Sequence, residues 1–327
     1  MNAQKIVFDA AAGGGNKIAG FFCPATADVA PKGIFQICHG MADYFGRYEE
    51  LIDHLNNDGW HVCGMDMLGH GQTYELNKDR DMPLGFFGEA KDAAYCILKD
   101  EMALHELAKE FFGAGADGKR LPMVLYGHSM GSFVARNIYI TFEFAREFDA
   151  FIFASTMGPE PAAKLGVFLA KICGLFGMKR KPGKLLNSIA FGNYNRRISN
   201  PKTPFDWVTS DEAEVFKYCE DPHAGFLFTC KGFLDLFTLV VRMQSDDAYR
   251  NAALAPCLLT YGEDDPVAGY GKGAQFVADK LAAVKERQVK VINYGHYRHE
   301  IQNEPIREQY FNDIIEFINY NTEAEGK

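Results

Sequence analysis

Gly127-His128-Ser129-Met130-Gly131 is a G-x-S-x-G pentapeptide set between a strand-like run, Pro122 to Tyr126, and a helix-like run, Ser132 to Tyr139. A serine on a sharp strand-to-helix turn is held with its hydroxyl exposed above the sheet, and flanking glycines leave no β-carbons to crowd the turn. That is the placement of a nucleophile. A nucleophilic serine needs a base, and the base needs an acid to orient it. The acid is expected in Gly262-Glu263-Asp264-Asp265-Pro266-Val267, an acidic turn after a strand-like run, where Asp265, Asp264 and Glu263 all offer a carboxylate. The base is expected in Tyr294-Gly295-His296-Tyr297-Arg298-His299-Glu300, with His299 the better candidate and His296 its competitor. His128, inside the pentapeptide, is expected to pack below the turn.

Acyl transfer also needs two N–H donors for the oxyanion of the tetrahedral intermediate. One is the backbone N–H of Met130, next after the serine. The second is expected from the loop after an earlier strand, where Ile34 to Cys38 is followed by His39-Gly40-Met41. The Met41 N–H is the candidate donor. His39 and Gly40 are candidate substrate contacts, since glycine lets the backbone come close to the substrate.

The elements that must position these groups alternate. Strand-like runs at 5–10, 17–23, 33–38, 61–66, 122–126, 150–154, 257–261 and 288–294 are separated by helical patterns at 48–57, 93–112 and 306–320. Such alternation predicts a mostly parallel sheet covered on both faces. The stretch 156–255 breaks the rhythm: it is helix-like, rich in aromatics, and lies between two strands. We expect a core of 1–155 and 256–327 and a helical cap over 156–255, with Thr209 and Glu212 forming a capping box on one of its helices. The chain has 327 residues, 47% of them hydrophobic, which suits one α/β domain with an insertion.

Composition excludes several classes. A net charge of −9 argues against nucleic-acid binding. Lys5 and Asp9 interrupt the only apolar stretch at the N-terminus, which argues against a signal peptide. The eight cysteines show no C-x-x-C pair and no zinc-like spacing, so no metal and a reduced, cytoplasmic protein are expected. The cap carries its own signal. Residues 161–205 contain no Asp or Glu but hold Lys164, Lys171, Lys179, Arg180, Lys181, Lys184, Arg196, Arg197 and Lys202. The apolar run from Leu165 through Phe168 to Phe176 is too short to span a bilayer. Bordered by lysines, it suits contact with an anionic bilayer or micelle surface, or with a phosphate head group; a solvated basic rim is the plainer alternative. A second run containing Phe233 and Phe237 suits an acyl-chain pocket or simple core. Leu165, Phe168, Phe233 and Phe237 are thus candidate substrate contacts.

These motifs together give the chain a likeness. It resembles the monoacylglycerol lipase and lysophospholipase branch of the α/β-hydrolases, grouped with the serine aminopeptidases. The matching stretches are His39-Gly40 with Arg47-Tyr48-Glu49-Glu50-Leu51, Asp66-Met67-Leu68-Gly69-His70-Gly71, the serine pentapeptide, Gly262 to Val267, and Arg298-His299-Glu300 with Asn303-Glu304. Ser132 departs from a common second glycine, and Met67-Leu68 from a more polar pair. The resemblance implies an α/β-hydrolase fold with an inserted cap, Ser129 as nucleophile, Asp265 as acid, His299 as base, and Met41 and Met130 as oxyanion donors. It implies no cofactor. The expected reaction is hydrolysis of a single-acyl-chain lipid ester, a monoacylglycerol or a lysophospholipid. A peptidase or amidase, or a short-chain esterase, would share the triad. An aminopeptidase would need cap carboxylates for the substrate's amino group; the acid-free first half of the cap speaks against that, though Asp211, Glu212, Glu214, Glu220 and Asp221 could supply them. A non-catalytic binding protein is disfavoured by the full triad.

Overall fold

The computed structural model describes residues 2–27, 30–115, 117–284 and 286–322. Eight strands form one sheet: β1 (Gln4–Asp9), β2 (Lys17–Cys23), β3 (Gly33–Cys38), β4 (Trp60–Asp66), β5 (Met123–His128), β6 (Ala150–Ala154), β7 (Cys257–Tyr261) and β8 (Val289–Asn293), in the order β1-β2-β4-β3-β5-β6-β7-β8. The β1–β2 and β2–β4 pairs are antiparallel. From β4 onward across the sheet every pair is parallel. The helices are α1 (Glu49–Asn57), α2 (Gly71–Asn77), α3 (Ala93–Phe112), α4 (Met130–Tyr139), α5 (Phe142–Ala145), α6 (Ala162–Leu175), α7 (Lys184–Phe191), α8 (Glu212–Glu220), α9 (Cys230–Met243), α10 (Asp246–Asn251), α11 (Lys272–Ala282) and α12 (Arg307–Thr322).

Strand periodicity explains the layers. On β3 and β5, Phe35, Ile37, Val124 and Tyr126 point to one face and meet Leu51, Ile52 and Leu55 of α1 and Tyr310, Phe311 and Ile314 of α12. Their neighbours Ile34, Met123 and Leu125 point to the other face, with Ile97 and Leu104 of α3, Val134 and Ile138 of α4 and Val277 of α11. A strand buried on both faces must be apolar at almost every position. β5, β6 and β7 read MVLYGH, AFIFA and CLLTY, and each of their residues is buried.

Between β6 and β7 the chain makes α6 to α10. α6 lies so close on α9 that a β-carbon at Gly166 would sit 2.7 Å from the Phe237 ring. α9 is seated on the core through α4, where the Asn137 amide donates to the Leu239 carbonyl (3.0 Å) and Arg136 to the Met243 carbonyl (3.1 Å). The capping box expected at Thr209 and Glu212 does not form. Asp211 caps α8 instead, its carboxylate accepting from the Ala213 and Glu214 N–H groups at 2.9 and 3.5 Å. The Thr209 hydroxyl is drawn to a tertiary partner, the Asn303 carbonyl (3.0 Å), and so ties 156–255 to the loop after His299.

Under β3 lies a buried acid with a measurable consequence. Glu101 of α3 accepts from the Gln36 amide at 2.7 Å, and burial pushes its pKa up to about 7. The folded state then holds a proton that the unfolded chain releases near the ordinary carboxylate value, so stability falls as pH rises from about 4.5 to 7. Glu101→Gln keeps the neutral shape. Its melting temperature is expected to match the parent at pH 4.5 and to exceed it at pH 8, by an amount equivalent to ~3 kcal/mol or less. Equal melting curves at both pH values would contradict this.

Candidate active site

Ser129 sits at the turn from β5 into α4 with φ 54° and ψ −122°, a left-handed conformation for a residue with a side chain. Such backbone strain costs on the order of 1–3 kcal/mol and is held by its surroundings. Here the surroundings are close backbone contacts. A β-carbon at Gly127 would lie 2.3 Å from the Gly131 carbonyl oxygen, and one at Gly131 only 2.0 Å from that of Cys38. The Ser129 N–H donates to the Ala154 carbonyl (3.0 Å), and the Ser132 hydroxyl donates to the Ser129 carbonyl (2.6 Å). Ser132, the departure from a second glycine, thus braces the turn.

The structure brings His299 and Asp265 together and separates their rivals. His299 Nδ1 lies 3.0 Å from Asp265 Oδ1, with both side chains buried. The Asp265 carboxylate also accepts the Val267 N–H at 2.8 Å, which fixes its direction. His296 stands at the surface, 83% exposed, beside Glu263 and Asp264 at 3.6 and 3.7 Å. His299 lines the same cavity as Ser129; His296 does not. His128 is buried, with Nδ1 3.2 Å from the Tyr48 hydroxyl and Nε2 3.2 Å from the His299 carbonyl oxygen. Burial lowers its pKa to about 4, so it is neutral and packs beneath the turn.

Met130 opens α4, so its N–H is one of the donors a helix leaves without an internal partner. Among the described residues the Met41 N–H has no protein acceptor, and Met41 borders Ser129 in the cavity wall. Gly40 lies in the same wall, with its N–H on Asp43 at 3.2 Å. His39 does not. It is fully buried, accepts the Met67 N–H at Nε2 (3.0 Å), and so must carry its proton on Nδ1, which reaches the Gly40 carbonyl (2.8 Å). It props the loop from below.

Two cavities meet at Ser129. The first, of about 360 Å³, is lined by Asp43, Asn187, Asn195 and Glu300 and by the apolar and aromatic Phe205, Trp207, Tyr218, Phe226 and Leu227, among others. The second, of about 250 Å³, runs under α6 and α9 past Met130, Phe133, Met157, Leu236, Phe237 and Val240. Of the expected substrate contacts in 156–255, only Phe237 lines a cavity. Phe233 is buried behind it, stacked on Phe237 at 5.8 Å between centroids. Leu165 and Phe168 lie on the outer face of α6, 55% and 58% exposed, because α6 turns Ala163, Gly166 and Ala170 inward instead.

The sequence profile described as serine aminopeptidase, S33, matches residues 29–306. The chain belongs to this family. It is 26% identical over 300 residues to the monoacylglycerol lipase of Mycolicibacterium smegmatis, covering 90% of each chain. It is 25% identical over 302 residues to the monoglyceride lipase of Homo sapiens, covering 90% of this chain and 85% of that one. Its fold overlays a thermostable carboxyl esterase from Bacillus coagulans, solved with glycerol, at a TM-score of 0.88 and 26% identity, covering 98% and 99% of the two chains. This S33 protein is therefore an α/β-hydrolase, and an enzyme of the lipase and esterase kind.

Parts of this S33 site lie outside the expected residues. Ser155, at φ 52°, donates its hydroxyl to the His299 carbonyl at 2.6 Å. The Trp207 ring stands 5.0 Å from the His299 ring. Arg47 forms a two-pronged pair with Glu300 (2.8 and 2.7 Å) and a third bond to Asp43 (3.0 Å). Arg47 and Glu300 stand in the motif stretches of the sequence, far apart, and only the fold shows that they pair. Ser155 and Trp207 carry no sequence signal of this role.

Proposed function

We propose that this hydrolase cleaves the ester of a lipid with one long acyl chain, through an acyl-enzyme on Ser129, and that a monoacylglycerol is preferred to a lysophospholipid. His299 takes the Ser129 proton as Oγ attacks the ester carbonyl, while Asp265 keeps the imidazole in the Nδ1–H tautomer. The Met41 and Met130 N–H groups receive the oxyanion. The same histidine then protonates the leaving alcohol, and activates the water that releases the fatty acid.

The observation that carries this reading is the position of Ser129 where two separate cavities meet. An acyl chain fits the one under α6 and α9, and an alcohol fits the other, where Asp43, Asn187, Asn195 and Glu300 stand among aromatic side chains. Among the described residues, neither cavity has a lysine or arginine in its wall. Three of the cap's basic residues are engaged elsewhere: Arg180 pairs with Asp81 and Glu89, Lys202 with Glu212, and Arg197 lies 3.4 Å above the Tyr270 ring. A phosphate would find no buried counter-charge, so a neutral polyol is favoured. The names of the relatives, and the glycerol with the Bacillus coagulans esterase, support the same choice. The aminopeptidase alternative needs a free carboxylate: Asp43 and Glu300 are taken by Arg47 and Asp221 by Tyr44, which leaves Glu160, in the wall of the second cavity and bonded to the Ala162 N–H, as the group that arylamide turnover tests.

The test is fatty acid release from 1-monooleoylglycerol and oleoyl lysophosphatidylcholine side by side, with leucine p-nitroanilide as a third substrate. Faster turnover of the glycerol ester is expected and no arylamide cleavage. Preference for the phospholipid would overturn the head-group assignment; arylamide turnover would overturn the ester one.

The reading extends to the substrate's source. Among the described residues no helix is long and apolar enough to cross a membrane. Exposed Leu165, Phe168, Leu175 and Phe176 share the outside of the cap with exposed Lys164, Lys171 and Lys179. That combination suits peripheral docking on an anionic lipid surface, and six buried thiols suit a reducing, cytoplasmic compartment. The protein is expected to co-sediment with vesicles containing phosphatidylglycerol, and Phe168→Ser with Phe176→Ser to weaken this. Equal sedimentation of parent and variant would remove the docking surface.

A further inference from the structure

The two cavities share three residues: Met41, Ser129 and Phe191. Met41 and Ser129 come from the core and form the floor where the ester carbonyl reacts. Phe191 comes from the end of α7. Along that helix Asn187 faces the alcohol-side cavity, Ile189 and Ala190 face the acyl-side cavity, and only Phe191 touches both.

We propose that Phe191 is a specificity-determining partition, one that admits a single unbranched chain beside the reacting carbonyl. This rests on the two-cavity reading above and adds a residue to it. A ring that borders both cavities where they meet at Ser129 leaves room for one chain to pass into the acyl cavity and for one alcohol on the other side. An acid branched at the carbon next to the carbonyl would place its second arm where the ring is. So would a second acyl chain lying alongside the first.

The ring is held in place. It meets Tyr194 edge-on at 5.1 Å and 83°, and lies 6.4 Å from Phe233, itself stacked on Phe237. Edge-to-face packing of this kind fixes ring orientation. The residue after it must be glycine, because a β-carbon at Gly192 would lie 2.4 Å from the Ser188 carbonyl oxygen. Tyr194 and Phe233 therefore back the ring, and Gly192 fixes the end of α7 that carries it.

The experiment compares p-nitrophenyl octanoate with p-nitrophenyl 2-butyloctanoate, and 1-monooleoylglycerol with 1,2-dioleoylglycerol, in the parent, Phe191→Ala and Phe191→Leu. Rates are expressed per site titrated by a fluorophosphonate, so that loss of folded enzyme cancels. Phe191→Ala is expected to raise the branched-to-linear ratio of kcat/KM by about tenfold or more, with Phe191→Leu in between. The diacyl-to-monoacyl ratio should rise with it. Unchanged ratios in both variants would overturn the partition. If Phe191→Ala yields no titratable site, the leucine variant, which keeps apolar bulk but lacks the ring, carries the test. If the parent cleaves p-nitrophenyl octanoate but not monooleoylglycerol, the lipid reading falls while the aryl-ester ratio still decides the role of Phe191.

Discussion

Ser129→Ala is expected to lower ester turnover by about 10⁴- to 10⁶-fold, with the fold and substrate affinity retained. The size follows from what is removed. Without Oγ there is no acyl-enzyme, and His299 has no proton to take; the oxyanion donors and the cavities still bind substrate. Members of such a unit are not additive, so His299→Ala should cost nearly as much as Ser129→Ala, and the double variant little more. The strained turn offers a second readout. Gly127 and Gly131 hold the chain at φ 54° whatever side chain occupies position 129, so the alanine variant should melt within a few degrees of the parent. The measurement is p-nitrophenyl butyrate hydrolysis with active-site labelling by a fluorophosphonate. A variant that keeps its activity, or still takes the label, would remove Ser129 from the mechanism.

Arg47→Leu is expected to destabilise the fold by about 3–5 kcal/mol, seen as a drop in melting temperature of about 5–10 °C. Arg47 is only 12% exposed, and Asp43 and Glu300 are 3% and 5% exposed. Burial alone would push the Asp43 pKa up, but the Arg47 charge, then His39, His128 and the Tyr48 hydroxyl, outweigh it and bring it down to about 2. Removing Arg47 strands two carboxylates in the interior, which costs far more than the pair contributes when whole. The sign with pH follows. A carboxyl depressed below its unfolded value of 3.8 adds stability above that pH and loses it as pH falls toward 2. The gap between parent and Arg47→Leu should therefore be widest near neutral pH and narrow in acid. Arg47→Leu combined with Glu300→Leu should recover part of the loss, because one stranded charge goes with its partner. A gap independent of pH would show that the loss is packing alone. Activity should fall too, since Glu300 follows the base and its N–H is fixed on the Val208 carbonyl at 2.7 Å.

Much of the fold was legible because strands buried on two faces carry a strong local pattern. The runs at β3, β5, β6 and β7 are apolar almost throughout, and their bounds in the structure fall within about two residues of those read from the sequence. α2 and α11 were not anticipated. α2 is short and polar, and its place is set by tertiary bonds such as the Thr73 hydroxyl to the Asp66 carbonyl (2.5 Å). The capping box at Thr209 failed for the same reason, as the Asn303 carbonyl drew the threonine away from α8.

By itself the sequence determined the chemistry on offer. The G-x-S-x-G turn, the acidic turn after one strand and the histidine loop after the last are local devices, each set by a few adjacent residues and the strand before them. Among the rivals at each position the choice needed either a family likeness or the fold. Asp265 and His299 differ from Asp264 and His296 only in which way the loop turns them, inward to each other or outward to water, and local sequence does not encode that direction. The tertiary structure alone decided that His39 props a loop, that Leu165 and Phe168 face solvent, and that Arg47 reaches Glu300. It also decided that Phe191 stands between two cavities. Each of these depends on side chains distant in sequence packing to one another, and burial of that kind is a property of the assembled core.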